Sequence, residues 1–440
     1  MNRSLKVGIL TLGCKVNQYE SEAIAEALTN KGFSIAPHTQ PCDAYIINTC
    51  TVTAESDRKA RQMIRRMIGK NPCAFVLVTG CYSQVSPEEV AAIDGVDYIC
   101  GSSNKMSVVD KLCQLIENGK KNDGAEISIP NLDESGFEQM SIRRFDRTRA
   151  YVKIEDGCES RCAYCTIPAS RGPIRSKPFG EVIEEVKTLT ENGVREVVLT
   201  GIETGSYGKE LSEGEDLASL LVAIDKIDGI GRVRTGSLDP TVIKPKFAEA
   251  IRGLNSLCPH FHLSLQSGSS KILALMKRKY NAEQAMSYIE RLREAIPNVQ
   301  LTTDVIVGFP GETEEDFQET CDFVRRAGFL MIHVFPYSKR KGTVAAEMKG
   351  QLPESVKKER VAILTNISRE IRTEILDEMI AESKISTVLF ETASDGFAHG
   401  HTADFIEVRV KTSKPLHGLF RKVRLTSHDG DVCEGILIEE

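Results

Sequence analysis

No apolar run in this sequence is long enough to span a bilayer, and the chain opens Met1-Asn-Arg-Ser-Leu-Lys straight into a strand-like segment. Those two absences exclude a membrane protein and a secreted one as expectations, and place the protein in the cytoplasm. There is no internal repeat and no low-complexity tract, so neither a solenoid nor a disordered tail is expected. Positive charge is not in excess: 56 Lys and Arg stand against 62 Asp and Glu, a net charge of −6. That argues against indiscriminate nucleic-acid binding but leaves local basic patches open. The 41% hydrophobic and 27% charged content is ordinary for a globular protein. The 440 residues leave room for more than one domain. Cysteine, by contrast, is abundant, at 13 residues. In a chain without a leader this points to metal binding in a reducing compartment and away from disulfides.

Three of these cysteines are closely spaced, in Asp156-Gly-Cys-Glu-Ser-Arg-Cys-Ala-Tyr-Cys-Thr-Ile-Pro. The spacing C-x3-C-x2-C sets Cys158, Cys162 and Cys165 close enough to hold an iron–sulfur cluster. A cubane with three protein ligands keeps one iron open for chemistry. The plain alternative is a helix face, because positions i, i+4 and i+7 coincide. The context opposes it: Tyr151-Val-Lys-Ile alternates like a strand, Gly157 breaks the run, and Pro168 and Gly172 follow. A zinc site wants a fourth ligand nearby, and the next histidine is His260.

Along the chain, residues 1–118 alternate strands with helices, which predicts a doubly wound parallel α/β domain. The strands are expected at Val7–Leu12, Asp43–Asn48, Phe75–Thr79 and Val96–Ile99. Residues 119–141 lose periodicity and read as a linker. Residues 142–374 alternate again. Six strands, at Tyr151–Glu155, Glu196–Thr200, Val233–Ser237, His262–Gln266, Thr302–Val307 and Met331–Pro336, predict a partial (β/α)6 barrel. Its active site would lie at the strands' C-terminal ends. A long helix runs from Glu354 to Ser383. From Ile385 to Glu440 the sequence alternates with period two and carries an Asp429-Gly430 turn, which predicts a small all-β, OB-like barrel for a domain over 375–440.

Cys14, Cys50 and Cys81 each stand just after one of the first three strands. In a parallel sheet those ends share one edge, so three distant sulfurs can meet and hold a second cluster. The plain alternative is that cysteine is a common small hydrophobe in sheets. Cys100 also ends a strand, and as a fourth ligand it would close that cluster.

The chain resembles the methylthiotransferase family of radical S-adenosylmethionine (SAM) enzymes over essentially its whole length. The resemblance is carried by Leu12-Gly-Cys-Lys-Val-Asn-Gln-Tyr-Glu-Ser, Asn48-Thr-Cys-Thr-Val-Thr and Thr79-Gly-Cys-Tyr-Ser-Gln. In the core it is carried by Asp156-Gly-Cys to Cys165-Thr-Ile-Pro, Arg171-Gly, Leu199-Thr-Gly-Ile, His262-Leu-Ser-Leu-Gln-Ser-Gly and Thr303-Asp-Val-Ile-Val-Gly-Phe-Pro-Gly-Glu-Thr. In the tail, Gly400-His-Thr and Phe405-Ile-Glu-Val-Arg-Val are similar to the TRAM domain pattern. Glu203-Thr-Gly-Ser-Tyr, after Gly201-Ile, departs from the family by its acidic start.

The resemblance implies two 4Fe-4S clusters, one on Cys14, Cys50 and Cys81 and one on Cys158, Cys162 and Cys165. It implies SAM used both as radical source and as methyl donor. Gly13-Cys-Lys-Val-Asn-Gln-Tyr and His333-Val-Phe-Pro-Tyr-Ser-Lys-Arg-Lys-Gly-Thr are most like the branch that methylthiolates carbon 2 of N6-threonylcarbamoyladenosine at tRNA position 37. An electron donor such as flavodoxin or ferredoxin and a sulfur source would complete the reaction. By position, Tyr164, Gly201, Ser264, Gln266 and Gly308 are candidates to cradle SAM, with Gly311 beside the last. Lys339, Arg340, Lys341, Arg409, Lys411, Arg421 and Lys422 are candidates for tRNA, the first two for the substrate carboxylate. Further basic groups are Arg58, Lys59, Arg61, Arg65 and Arg66, then Arg143, Arg144, Arg147 and Arg149, then Lys277-Arg-Lys, and Lys414 and Arg424. Each run has a plain reading as a solvated face.

Three other functions fit parts of the sequence. One is a sister enzyme acting on isopentenyl-adenosine in tRNA or on a ribosomal-protein aspartate. Another is an RNA-binding protein whose clusters are structural or sense redox state. The third, a radical SAM lyase or mutase on a small metabolite, leaves the basic tail without a purpose.

Overall fold

The protein is described here by a computed structural model covering residues 4–119, 124–143, 145 and 148–438. Arg144 and Arg147 lie outside the described residues. The N-terminal domain is a wholly parallel six-stranded sheet. Its order is Ser34–Ala36, Lys6–Thr11, Ala44–Thr49, Phe75–Gly80, Tyr98–Cys100, Glu126–Ser128. Helices Lys15–Asn30, Ala54–Lys70 and Ser107–Asn118 connect the strands. Ala44–Thr49 is buried at every position, as a strand covered on both faces must be. Strand order reverses between Lys6–Thr11 and Ala44–Thr49, and such a reversal opens a crevice at the C-terminal edge.

The alternation anticipated four of these strands. Ser34–Ala36 and Glu126–Ser128 have three residues each and lie at the two edges, too short for a period to register. The second falls inside the expected linker, so part of 119–141 belongs to the N-terminal sheet. Met140, near its end, is buried in the core of the central domain.

That central domain has six parallel strand positions, as expected. They are Arg149–Lys153, Glu196–Thr200, Arg232–Thr235 with Ser237–Leu238, His260–Gln266, Gln300–Val307 and Met331–Pro336. The third is interrupted at Gly236, where a Cβ would lie 2.9 Å from Thr204 Oγ1. The interruption divides the barrel wall into a sheet of three and a sheet of four.

The tail is a closed barrel of five strands, Ile385–Ser394, Phe397–Thr402, Glu407–Lys411, Phe420–His428 and Cys433–Leu437. Helix Glu354–Ala381 crosses the expected domain boundary at 374/375 without a break. Leu364, Ile367 and Ile371 pack into the central core, and Leu376 and Met379 into the tail's. One amphipathic helix therefore belongs to both domains, which no local signal at 374 could reveal. Arg149 pairs with Glu391 at 2.9 Å, and Arg232 donates to the carbonyls of His401 and Thr387 at 3.0 and 2.5 Å. Among the described residues, no helix is long and apolar enough to cross a membrane.

Candidate metal centres and a neighbouring cavity

Cys14, Cys50 and Cys81 follow three adjacent strands, the first two flanking the point where strand order reverses. Side chains from neighbouring loops lock them together. Asn17 Nδ2 donates to the carbonyls of Leu12 at 2.7 Å and Thr49 at 3.0 Å, and Thr49 Oγ1 donates to Thr79 O at 2.6 Å. Gly80 has φ +107°, and a Cβ there would lie 2.6 Å from the Thr49 nitrogen. Only glycine lets the Cys81 loop approach the Cys50 loop this closely. Each sulfur receives an N–H: Cys14 from the Asn17 backbone, Cys50 from the Val52 backbone, Cys81 from Arg171 Nε at 3.1 Å. Burial pushes the Cys14 thiol up and the Cys50 thiol up to about 11, so bare thiols here hold their protons at neutral pH. N–H donors aimed at all three sulfurs suit thiolates bound to a cluster.

Cys158, Cys162 and Cys165 lie in the irregular stretch between strand Glu155–Asp156 and helix Ile167–Arg171, not on a helix face. Gly157 has φ +92°, and a Cβ there would overlap the Pro173 carbonyl. The pattern of donors repeats. Cys158 receives the Ser160 N–H, Cys165 the Ile167 N–H and Cys162 an Arg278 N–H, each at 3.4 Å. Burial, reinforced by Cys162 and Cys158, pushes the Cys165 thiol up to about 12. Each trio thus has two backbone donors and one arginine. A tetrahedral zinc with sulfur bonds of about 2.3 Å would hold sulfurs about 3.8 Å apart. Among the described residues, the group with three ligand atoms within 4.8 Å of one another is His262, Asp304 and His333, not either cysteine trio.

The loops that carry the two trios touch at the domain junction. Thr166 Oγ1 lies 3.5 Å from Thr51 O, so the residues after Cys165 and Cys50 touch. A cavity of about 240 Å³ opens beside them, lined by Val52, Thr53, Tyr164, Cys165, Gln266 and Asp304 among others. A second, of about 450 Å³, is lined by Ser160, Glu203, Asp239 and Lys279. Burial, and then the charge of Asp239, push the Glu203 carboxyl up to about 7. Arg278 pairs with Asp239 at 2.7 Å and donates to the Ser264 carbonyl at 2.8 Å while it reaches Cys162. A carboxyl, a carboxylate and a guanidinium thus converge beside the core trio, a set that fits the ammonium and carboxylate ends of an amino acid such as SAM carries.

The proposed SAM contacts divide. Tyr164 and Gln266 line the 240 Å³ cavity, Gln266 with φ +75°, a strained value for a side-chain-bearing residue. Ser264 presents its carbonyl to Arg278 and Tyr280. At Gly201 the space that a side chain would take is filled by Glu155, whose Oε2 would be 2.6 Å from a Cβ. Gly308 faces Lys357 of the long helix and gives its N–H to Glu312 at 2.6 Å.

The basic residues divide too. Lys339 and Lys341 are exposed, but Arg340 between them is committed to Asp57 at 2.7 Å and Thr51 Oγ1 at 2.8 Å. Through this one nitrogen it joins the central domain to the N-terminal one. In the tail, Lys411, Arg421, Lys422 and Arg424 are exposed, whereas Arg409 is neutralised by Glu434 at 2.8 Å and Asp429 at 3.3 Å. Arg421, Lys422 and Lys414 line a surface cavity of about 550 Å³ with Phe420 and Leu416. Arg58 pairs with Glu55 and Arg61 with Glu89, while Lys59, Arg65 and Arg66 are exposed on the same helix. Arg278, read from sequence within a surface basic run, belongs to the core trio instead.

Cys100 is fully buried in an apolar cluster with Ala44, Ile46, Leu77 and Val108, and its neighbours are Thr79 and Ser107, not the trio. Sequence reasoning also missed a charged group beneath the N-terminal trio. Glu20, Asp156, Lys105, Lys153 and Arg171 are all buried there. Their signal was present, since Glu20 and Arg171 fall in the quoted motifs, but nothing in sequence says that they meet.

A family model described as the radical SAM superfamily matches residues 152–324, and one described as uncharacterized protein family UPF0004 matches residues 6–101. The chain is 38% identical over 425 residues to the threonylcarbamoyladenosine tRNA methylthiotransferase MtaB of Bacillus subtilis (strain 168), covering 95% of this chain and 93% of that protein. It is 38% identical to the MtaB of Thermotoga maritima, covering 86% and 85%. It is 36% identical to the tRNA-2-methylthio-N(6)-dimethylallyladenosine synthase of Alkaliphilus oremlandii, covering 100% and 94%. Among solved structures, the radical SAM methyltransferase TsrM of Kitasatospora setae, with cobalamin and a [4Fe-4S] cluster bound, superposes with a TM-score of 0.58 over 89% of this chain and 81% of that one. At 15% identity this is a likeness of fold.

Proposed function

The chain belongs to the radical SAM methylthiotransferase family, a sulfur-transferring enzyme family that uses SAM and two 4Fe-4S clusters, and we propose that its reaction is methylthiolation of carbon 2 of N6-threonylcarbamoyladenosine at position 37 of tRNA. The observation that supports this reading is that the loops bearing the two cysteine trios touch at the domain junction, beside a cavity that Cys165 lines. Cys158, Cys162 and Cys165 hold the cluster that binds SAM, and Cys14, Cys50 and Cys81 hold the auxiliary one. When bound, SAM and the clusters supply the radical that removes hydrogen from an unactivated aromatic carbon and the methylated sulfur that replaces it, steps beyond any side-chain acid or base.

The chain's own residues do the rest. Glu203, Asp239 and Arg278 hold the amino-acid end of SAM, and Tyr164 and Gln266 bound the space for its adenine. Junction contacts from Thr166, Ser338 and Arg340 keep the trios in register and water out. Lys339, Lys341, Lys411, Arg421 and Lys422 meet tRNA phosphates, and the OB-like tail offers the surface. Work in the cytoplasm, with a flavodoxin or ferredoxin as electron donor and a separate sulfur source, completes the reading.

The relatives that act on dimethylallyladenosine keep a second substrate in view. Expression in a host lacking both tRNA methylthiotransferases, followed by mass spectrometry of tRNA nucleosides, decides between them. The proposal expects 2-methylthio-N6-threonylcarbamoyladenosine. A methylthio group on the isopentenyl nucleoside alone, or on neither, overturns it.

A further inference from the structure

The buried charge beneath Cys14, Cys50 and Cys81 is unbalanced. Glu20 accepts from Lys105, from Lys153 at 2.8 Å and from Arg171 Nη1 at 2.8 Å. Asp156 accepts from Lys153 at 2.7 Å and Arg171 at 3.2 Å, with Arg175 at 3.7 Å. Four buried cations thus face two carboxylates. The nearby Glu138 gives one oxygen to the Met106 N–H and makes no ion pair among the described residues. Buried charge is costly unless compensated. Beyond Glu138, which acts on Lys153, compensation among the described residues is available at the cysteine trio, which a metal cluster converts to thiolates.

Arg171 is where this charge touches sulfur. It is 0% exposed, and its fork is divided three ways: Nε to Cys81 Sγ at 3.1 Å, Nη1 to Glu20 and Asp156, Nη2 to Asn17 Oδ1 at 2.6 Å. Asn17 in turn ties the Cys14 loop to the Cys50 loop. Arg171 belongs to the central domain, at the end of the helix that starts just after Cys165. Asp156, its other partner, stands two residues before Cys158. The segment 156–171 therefore carries the ligands of one centre and the guanidinium that serves the other.

We propose that Arg171 is a positioning residue of the auxiliary cluster: the central domain holds that cluster's Cys81 corner through this guanidinium, and its charge raises the cluster's affinity for an electron. N–H donors to the sulfurs and nearby positive charge stabilise the more negative, reduced cluster, and both are recognised controls on cluster potential. Glu20 acts in the opposite sense, because it partly neutralises Arg171. The inference rests on the reading that Cys14, Cys50 and Cys81 hold a cluster.

The test is an EPR-monitored redox titration of the full chain, reconstituted anaerobically, with Cys158, Cys162 and Cys165 replaced by alanine so that one cluster remains. Arg171→Gln should lower the equilibrium constant for reduction at least tenfold, about 59 mV for a one-electron couple. Arg171→Lys keeps the charge but loses the fork, and should fall between. Glu20→Gln should move the potential the other way. A merely structural role would not produce shifts of opposite sign. If Arg171→Gln fails to retain iron, Arg171→Lys and Glu20→Gln decide the matter. Potentials unchanged in both, or moved in the same direction, overturn the proposal. Absence of iron from the parent triple-alanine protein overturns instead the cluster reading beneath it.

Discussion

Arg340 and Asp57 form an ion pair at 2.7 Å between the loop after the last barrel strand and a helix of the N-terminal domain, with side chains 11% and 16% exposed. The same guanidinium donates to Thr51 Oγ1, beside Cys50. One arginine thus ties the outer wall of the cavity to the loop of an auxiliary ligand. Charge-assisted hydrogen bonds of this kind contribute roughly 1.5–3 kcal/mol. Arg340→Ala and Asp57→Ala should each cost about that much in unfolding free energy. The double mutant should cost clearly less than the two together. Turnover on tRNA with and without the threonylcarbamoyl group should change by one common factor. Additive losses, or a selective loss on the modified tRNA, would return Arg340 to substrate binding.

The two trios should be separable. Cys50→Ala should lose about four irons per chain while reduced protein still cleaves SAM to 5′-deoxyadenosine. Cys162→Ala should lose a similar amount and abolish cleavage. Iron and sulfide content, measured beside product formation, checks both. Loss of all iron from either variant would mean one shared centre.

Gly157→Ala should mimic the loss of the core centre alone. Its φ of +92° is strained for alanine, and the new methyl group would overlap the Pro173 carbonyl just before Cys158. Iron should fall by about half. Full iron with normal SAM cleavage would show that the backbone relaxes there at no cost.

Glu203 makes a pH prediction for the cluster-free protein. Its carboxyl is raised to about 7 from an ordinary 4.5 by burial and by Asp239. A raised acid favours the folded state while it is protonated. Its contribution is therefore complete below about pH 4.5 and is lost as pH rises through 7. Glu203→Gln should flatten the fall in unfolding free energy across that window. An unchanged slope in denaturant titrations between pH 4.5 and 7 would rule Glu203 out as its source.

On the tail, exposure separates cations that look alike in sequence. Arg421→Ala and Lys422→Ala should weaken tRNA binding and each reduce the slope of log K against log salt by roughly 0.7–0.9. Arg409→Ala should leave the slope nearly unchanged, because Glu434 and Asp429 already neutralise that side chain. Filter binding across a salt series tests this. Equal effects from all three would show that the Arg409 pairs open on tRNA.

The fold was legible because alternation of strand and helix fixes a parallel architecture, and because the period of two in the tail fixes a β barrel. It failed at one very short element and at one shared between two domains. Glu126–Ser128 joins the sheet through three residues, and helix Glu354–Ala381 gives no local sign that its two ends serve different cores. Gly201 read as a place for close backbone approach, although a lone glycine after a strand is more often just a turn. Which body fills it, here Glu155, depends on a residue far away in sequence.

By itself the sequence determined the cysteine spacing, the strand ends that carry Cys14, Cys50 and Cys81, and hence the kind of chemistry, because ligand type and local backbone are properties of short segments. Only the tertiary structure decided which charges meet. Arg171 against Cys81, Arg278 against Cys162 and Arg340 against Asp57 join residues 90, 116 and more than 280 positions apart. Pairing across such separations is set by how the domains pack, and packing depends on every buried surface at once.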